Sequence, residues 1–167
     1  DPCFKSLYEA ALRTLILHSP DDVYPGPYTY KRFWFRDAAF IIHGLLCAGF
    51  IQRAERALDR FPPRQDSNGY FNSQEGEGDS NGEALWIMRR FCKMTGRRPN
   101  PGWQNAILRG GRWIQNKRLP EDSGTPHAGL LPAGFSAEHL GLNDYYYWDD
   151  FWGIAGLQAA AYLTESF

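Results

Sequence analysis

Apolar positions recur at helical spacing in six stretches of the chain. Over residues 4–18, Phe4, Leu7, Tyr8, Ala11 and Leu15 fall on one side and Lys5, Glu9 and Arg13 on another. That pattern predicts an amphipathic helix lying against something larger. A second helix is expected over about 37–49, apolar nearly all round and therefore enclosed. After a break near Gly49, residues 51–60 alternate Ile51, Ala54 and Leu58 with Arg53, Glu55, Arg56 and Asp59, and Pro62-Pro63 stop this surface-facing helix. Ser80 followed by Glu83 reads as a capping box opening a fourth helix, which Gly96 closes. Asn100-Pro101 is a cap and first-turn pair for a fifth, with Trp103, Ile107, Gly110 and Ile114 on one face and Lys117 and Arg118 at its end. A sixth begins around Asp149 and is apolar nearly all round.

The connections are uneven. Long loops at about 19–36, 61–80 and 119–147 alternate with short turns near 49–51 and 96–100. Helices one, three and five carry more charge than two, four and six. Three consecutive hairpins, each leading from an outer helix through a long loop to an inner one, give this rhythm. The expected fold is all-α, a single domain over 1–167, with the long loops gathered above the N-termini of the inner helices. A helical-repeat peptide binder shares the hairpins but predicts short, uniform connections. No strand-like alternation competes.

Composition narrows the function classes. The 167 residues are 43% apolar and 22% charged, which excludes a disordered tail. Lys plus Arg is 18 against 19 for Asp plus Glu, so no basic excess points to nucleic acid. The opening DPCFKSLYEA has no signal-peptide pattern, and the longest apolar run, Ala38 to Ile51, is too short to span a bilayer. A cytoplasmic protein with no membrane partner is the expectation. Cys3, Cys47 and Cys92 are widely spaced, as for reduced, largely buried thiols. The histidines show no metal-ligand spacing, and no metal or other cofactor is implied.

Each long loop ends in aromatics and an acid at the start of an inner helix: Trp34, Arg36 and Asp37 in the first; Asp79, Glu83 and Trp86 in the second; Trp148, Asp149, Asp150 and Trp152 in the third. Converging loops would make a cavity walled by aromatics and floored by carboxylates and an arginine. Sugars suit it, because aromatic faces pack on pyranose C–H faces while carboxylate and guanidinium groups bind hydroxyls. Glycosidic cleavage also uses paired carboxylates. Each ingredient has a plainer reading: acids favour first helical turns, the capping box accounts for Glu83, tryptophans pack cores, and Glu75, Glu77 and Asp79 belong to a glycine-spaced loop that reads as solvated. Their coincidence at three successive inner helices favours the shared cavity.

The segments RFWFRDAAF, DSNGEALW and GLLPAGFSAEHLGLNDYYYWDDFW resemble the six-hairpin glycosidase superfamily, in particular bacterial glucoamylase-type proteins. The resemblance implies a segment of an (α/α) toroid and inverting hydrolysis of α-glucosidic bonds at the non-reducing end of α-glucans. It assigns Arg36 and Asp37 to the hydroxyls of the terminal glucose and Trp34 to the same subsite. Glu138 is the nearest counterpart of the general acid, and the base would come from beyond Phe167. Three hairpins are half of such a ring, so apolar flanks are expected on the first and last helices, covered by the remaining half or by another subunit. A non-catalytic carbohydrate-binding or structural segment, and a sugar phosphorylase or transferase on the same scaffold, are the alternatives.

Overall fold

A computed structural model describes residues 1–135 and 142–167. Six α-helices account for its regular structure: α1 (Pro2–Leu17), α2 (Phe35–Cys47), α3 (Ile51–Leu58), α4 (Ser80–Thr95), α5 (Gln104–Lys117) and α6 (Tyr147–Thr164). Short 3-10 turns occupy Pro62–Arg64 and Pro101–Trp103. Among the described residues there is no strand, only two isolated bridges, Gln65 with Phe71 and Gly134 with Asp144.

Local chemistry sets most boundaries. The Asp1 carboxylate accepts from Cys3 N–H and opens α1 ahead of Pro2. Gly96 ends α4 in the left-handed conformation, at a φ of 69°, which a side chain resists. Asn100 Oδ1 accepts from Gly102 N–H and caps the turn leading into α5. The inner helices α2 and α6 each begin two residues before the expected acid, so Asp37 and Asp149 both lie in a first turn.

The capping box at Ser80 and Glu83 is not formed. Asp79 is the cap residue, Ser80 Oγ turns back to the Glu77 carbonyl at 3.4 Å, and the Glu83 side chain points into the interior. Its spacing satisfies the motif, but burial takes the side chain away from the backbone.

Helix α4 is the centre of the molecule. It packs between α2 and α6, while α3 lies against α2 and α4, and α5 against α4 and α6. The helices therefore form an inner row, α2–α4–α6, backed by α3 and α5. Glycines allow the closest approach: a Cβ on Gly82 would overlap the Trp152 carbonyl, and one on Gly156 would fall 2.6 Å from Gly82 Cα. Behind the row, Phe33, Phe35, Phe61 and Phe71 interlock edge-to-face at centroid distances of 4.9–5.8 Å. Asn81 is wholly buried and fully used: its Oδ1 accepts from Phe71 N–H, and its amide donates to the carbonyls of Gly69 and Gly110.

Two expectations change. Helix α1 has no buried residue; Phe4, Leu7 and Tyr8 are exposed, and contact with α2 runs through Leu15 beside Gly44. Its apolar stripe thus lies uncovered rather than against a larger body. Helix α6, at the other end of the row, exposes Phe151 and Ile154, an apolar flank of the kind expected on the last helix. Of the thiols, Cys92 is buried, whereas Cys3 and Cys47 are exposed on helix surfaces.

Candidate functional site

One carboxylate ties the three inner helices together at their N-terminal ends. Asp79, fully buried at the start of α4, accepts from Arg36 Nε of α2 at 2.7 Å and from Trp148 Nε1 of α6 at 2.6 Å, both on Oδ2. The Arg36 guanidinium also lies 5.9 Å from the Trp148 ring centre. Asp149 follows immediately. Its Oδ2 rests against the backbones of Gly78 and Gly134, where a Cβ would approach to 2.8 and 3.4 Å. Gly134 and Asp144 exchange backbone bonds of 2.9 and 3.1 Å, and Phe135 N–H donates to the Gly76 carbonyl. The third loop is thereby laid across the second.

The acids of the second loop are therefore not solvated as expected. Glu75 is exposed, but Glu77, Asp79 and Glu83 are buried, together with Asp149. Tyr70 holds this turn, donating its hydroxyl to the carbonyls of Gln74 and Glu77 at 2.9 Å, its ring stacked on Trp113. Crowding acids in a dry site disfavours their charge. Burial, aided by the neighbouring Asp79, pushes Glu83 up to about 10 against the pull of Arg36. The same two causes raise Asp149 to about 7. Neither oxygen of Glu83 has a hydrogen-bond partner among the described residues.

A cavity of about 710 Å³ opens beside this cluster, lined by Arg36, Asp37, Phe40, Tyr146, Trp148 and Asp149, with Leu15 and His18 closing the α1 side. It unites Arg36, Asp37, Trp148 and Asp149, four of the residues singled out from sequence. Trp34, Glu83 and Trp86 are not among its described lining residues. Trp34 lies in the preceding loop, half-buried, its Nε1 donating to Gln74 Oε1 at 3.2 Å and its ring beneath Arg32. Glu83 sits one turn deeper in α4. Trp86 supports the cavity from below through Phe40 (6.2 Å) and Trp152 (5.4 Å). Glu138 lies outside the described residues.

Phe40 and the hub role of Asp79 were not legible as site features. Phe40 is three residues after Asp37, and that spacing on the inner face was the available signal. His43, one turn further, is half-buried: its Nε2 lies 3.8 Å from Cys47 Sγ, its Nδ1 has no hydrogen-bond partner among the described residues, and burial lowers its pKa. Among the described residues, no group of three or more His, Cys, Asp or Glu side chains is arranged to hold a metal ion, and no helix is long and apolar enough to cross a membrane. Compared with protein-family models, curated proteins and solved structures, the chain matches none.

Proposed function

We propose that this cavity takes the terminal sugar of an α-glucan, and that the chain is the sugar-binding part of a glycoside hydrolase acting at the non-reducing end. The observation that carries the reading is the composition of one cavity: Trp148, Arg36, Asp37 and Asp149 together line a space of about 710 Å³. That volume accommodates a small saccharide, and the groups supply both a C–H-binding face and directional hydroxyl partners.

Asp149 adds the chemistry. A carboxyl raised to about 7 retains its proton near neutrality and suits a general acid protonating a leaving glycosidic oxygen. In this reading Asp149 acts alone, because Asp79 is occupied by Arg36 and Trp148 and Glu83 lies one turn deeper, outside the cavity lining. Glu138 is the competing donor implied by resemblance. The three outer–inner hairpins are proposed as a segment of an (α/α) toroid, with the water-activating base and the cover for α1 and α6 supplied by the rest of the ring or by another subunit.

The experiment is titration of the chain with maltotriose, read by tryptophan fluorescence and calorimetry, alongside glucose release by the chain and by the intact gene product. Saturable binding that Trp148→Ala weakens about tenfold is expected. Glucose release lost on Asp149→Asn but kept on Glu138→Gln assigns the proton to Asp149. Binding without release by either protein selects the non-catalytic carbohydrate-binding reading. Absence of binding by both sinks the sugar site.

A further inference from the structure

The opposite end of α4 concentrates positive charge. Arg89, Arg90, Lys93, Arg97 and Arg98 fall within ten residues of a chain whose formal net charge is -1. Arg97 pairs with Glu55 at 2.6 Å; among the described residues, the other four make no ion pair. Two of them share one ring instead: Arg89 and Lys93 stand 5.3 and 5.0 Å from the centre of Tyr162 on α6. They are four residues apart on the same helix face, where like charges repel. Arg90 lies over Trp86, and the buried Nε atoms of Arg89 and Arg90 have no hydrogen-bond partner among the described residues.

A helix C-terminus favours cations, which accounts for Lys93 in the last turn. It does not account for a second cation on the same ring, nor for two more arginines clustered past the cap. Beside them is a cavity of about 380 Å³ lined by Lys93, Gly96, Arg97, Arg98, Tyr162 and Ser166. Gly96 leaves it open, since a Cβ there would meet nothing within 4 Å. The lining offers an ammonium, two guanidinium groups and two hydroxyls, a donor-rich set in which Arg97 is the member ion-paired among the described residues, to Glu55.

We infer that this cavity is a second binding site, for a small ligand bearing a phosphoryl dianion. Arginine forks and a lysine point charge match phosphoryl oxygens, and an anion seated among Lys93, Arg97 and Arg98 relieves their mutual repulsion. The size suits inorganic phosphate or a compact phosphate monoester rather than a long polyanion. It lies far from the sugar cavity, because the sixteen residues of α4 separate the two ends by about 24 Å.

The test is calorimetric titration of the chain at fixed ionic strength with inorganic phosphate and, separately, with glycerol 3-phosphate. Saturable binding of at least one is expected. Equal affinities identify free phosphate as sufficient, and tighter binding of the ester identifies a phosphorylated metabolite. Lys93→Gln and Arg98→Gln alter exposed side chains outside the core, and each should weaken binding about tenfold with the melting temperature retained. Lys31→Gln, in the first long loop, should change nothing. No saturation by either probe below about 20 mM overturns the inference. So does equal weakening by Lys31→Gln, or duplex DNA binding that phosphate fails to displace.

Discussion

Glu83 occupies a place where a carboxylate is hard to keep charged: fully buried, beside Asp79, with no hydrogen-bond partner among the described residues for either oxygen. Its folded pKa of about 10 lies above the ordinary 4.5, so the native state holds a proton that the unfolded chain releases. The resulting stability is full below pH 4.5 and is lost as pH rises toward 10. Asp149 adds the same sign between its ordinary 3.8 and about 7. Glu83→Gln removes the larger titration. Its melting temperature should exceed that of the parent by about 3–6 °C at pH 8 and match it at pH 4. Identical pH slopes in both proteins would show that Glu83 is ionised in the folded state. Sequence made Arg36, Asp37, Trp148 and Asp149 visible as cavity residues because each stands at a helix start among aromatics. It could not show that Glu83 turns inward, since capping and burial share one spacing. Nor could it distinguish a solvated acidic loop from Glu77 and Asp79 folded under a neighbouring loop.

At the scale of elements, helical periodicity was sufficient for all six helices and for the Trp103–Ile107–Gly110–Ile114 face, whose members are buried. It fell short for α1, because an apolar stripe records what a helix can bury and not whether a partner is there. The α4–α6 crossing was also hidden, as a glycine inside a helical pattern reads as a cost rather than a contact. Gly82→Ala tests that crossing. Its helix propensity improves by up to about 1 kcal/mol, yet the methyl meets the Trp152 backbone and forces α6 outward. A net loss of about 1–3 kcal/mol is expected in urea unfolding. An unchanged or raised midpoint would mean that the two helices do not meet at this point.

The whole molecule is an inner row of helices with uncovered edges. Phe4, Leu7 and Leu17 on α1 and Phe151 and Ile154 on α6 expose apolar side chains at its two flanks. Surfaces of this kind drive association. Sedimentation velocity of the isolated chain should show mass rising with concentration up to on the order of 100 µM, and Phe4→Ser with Leu7→Ser should reduce that rise. A strictly monomeric chain over that range would mean that these flanks are too dispersed to bind anything.

Those same helices give the glycine crossing a second role. Gly82 lies one turn below Asp79, and the Trp152 carbonyl that it abuts lies one turn below Asp149. Any bulk placed there acts as a wedge with leverage on the rim, prising the two carboxyls apart and letting water between them. Asp149 would then titrate closer to an ordinary aspartate. A methyl in place of one hydrogen on buried Gly82 would thus reach the acidity of a group at the mouth, by loosening the burial and the Asp79 contact that raise it.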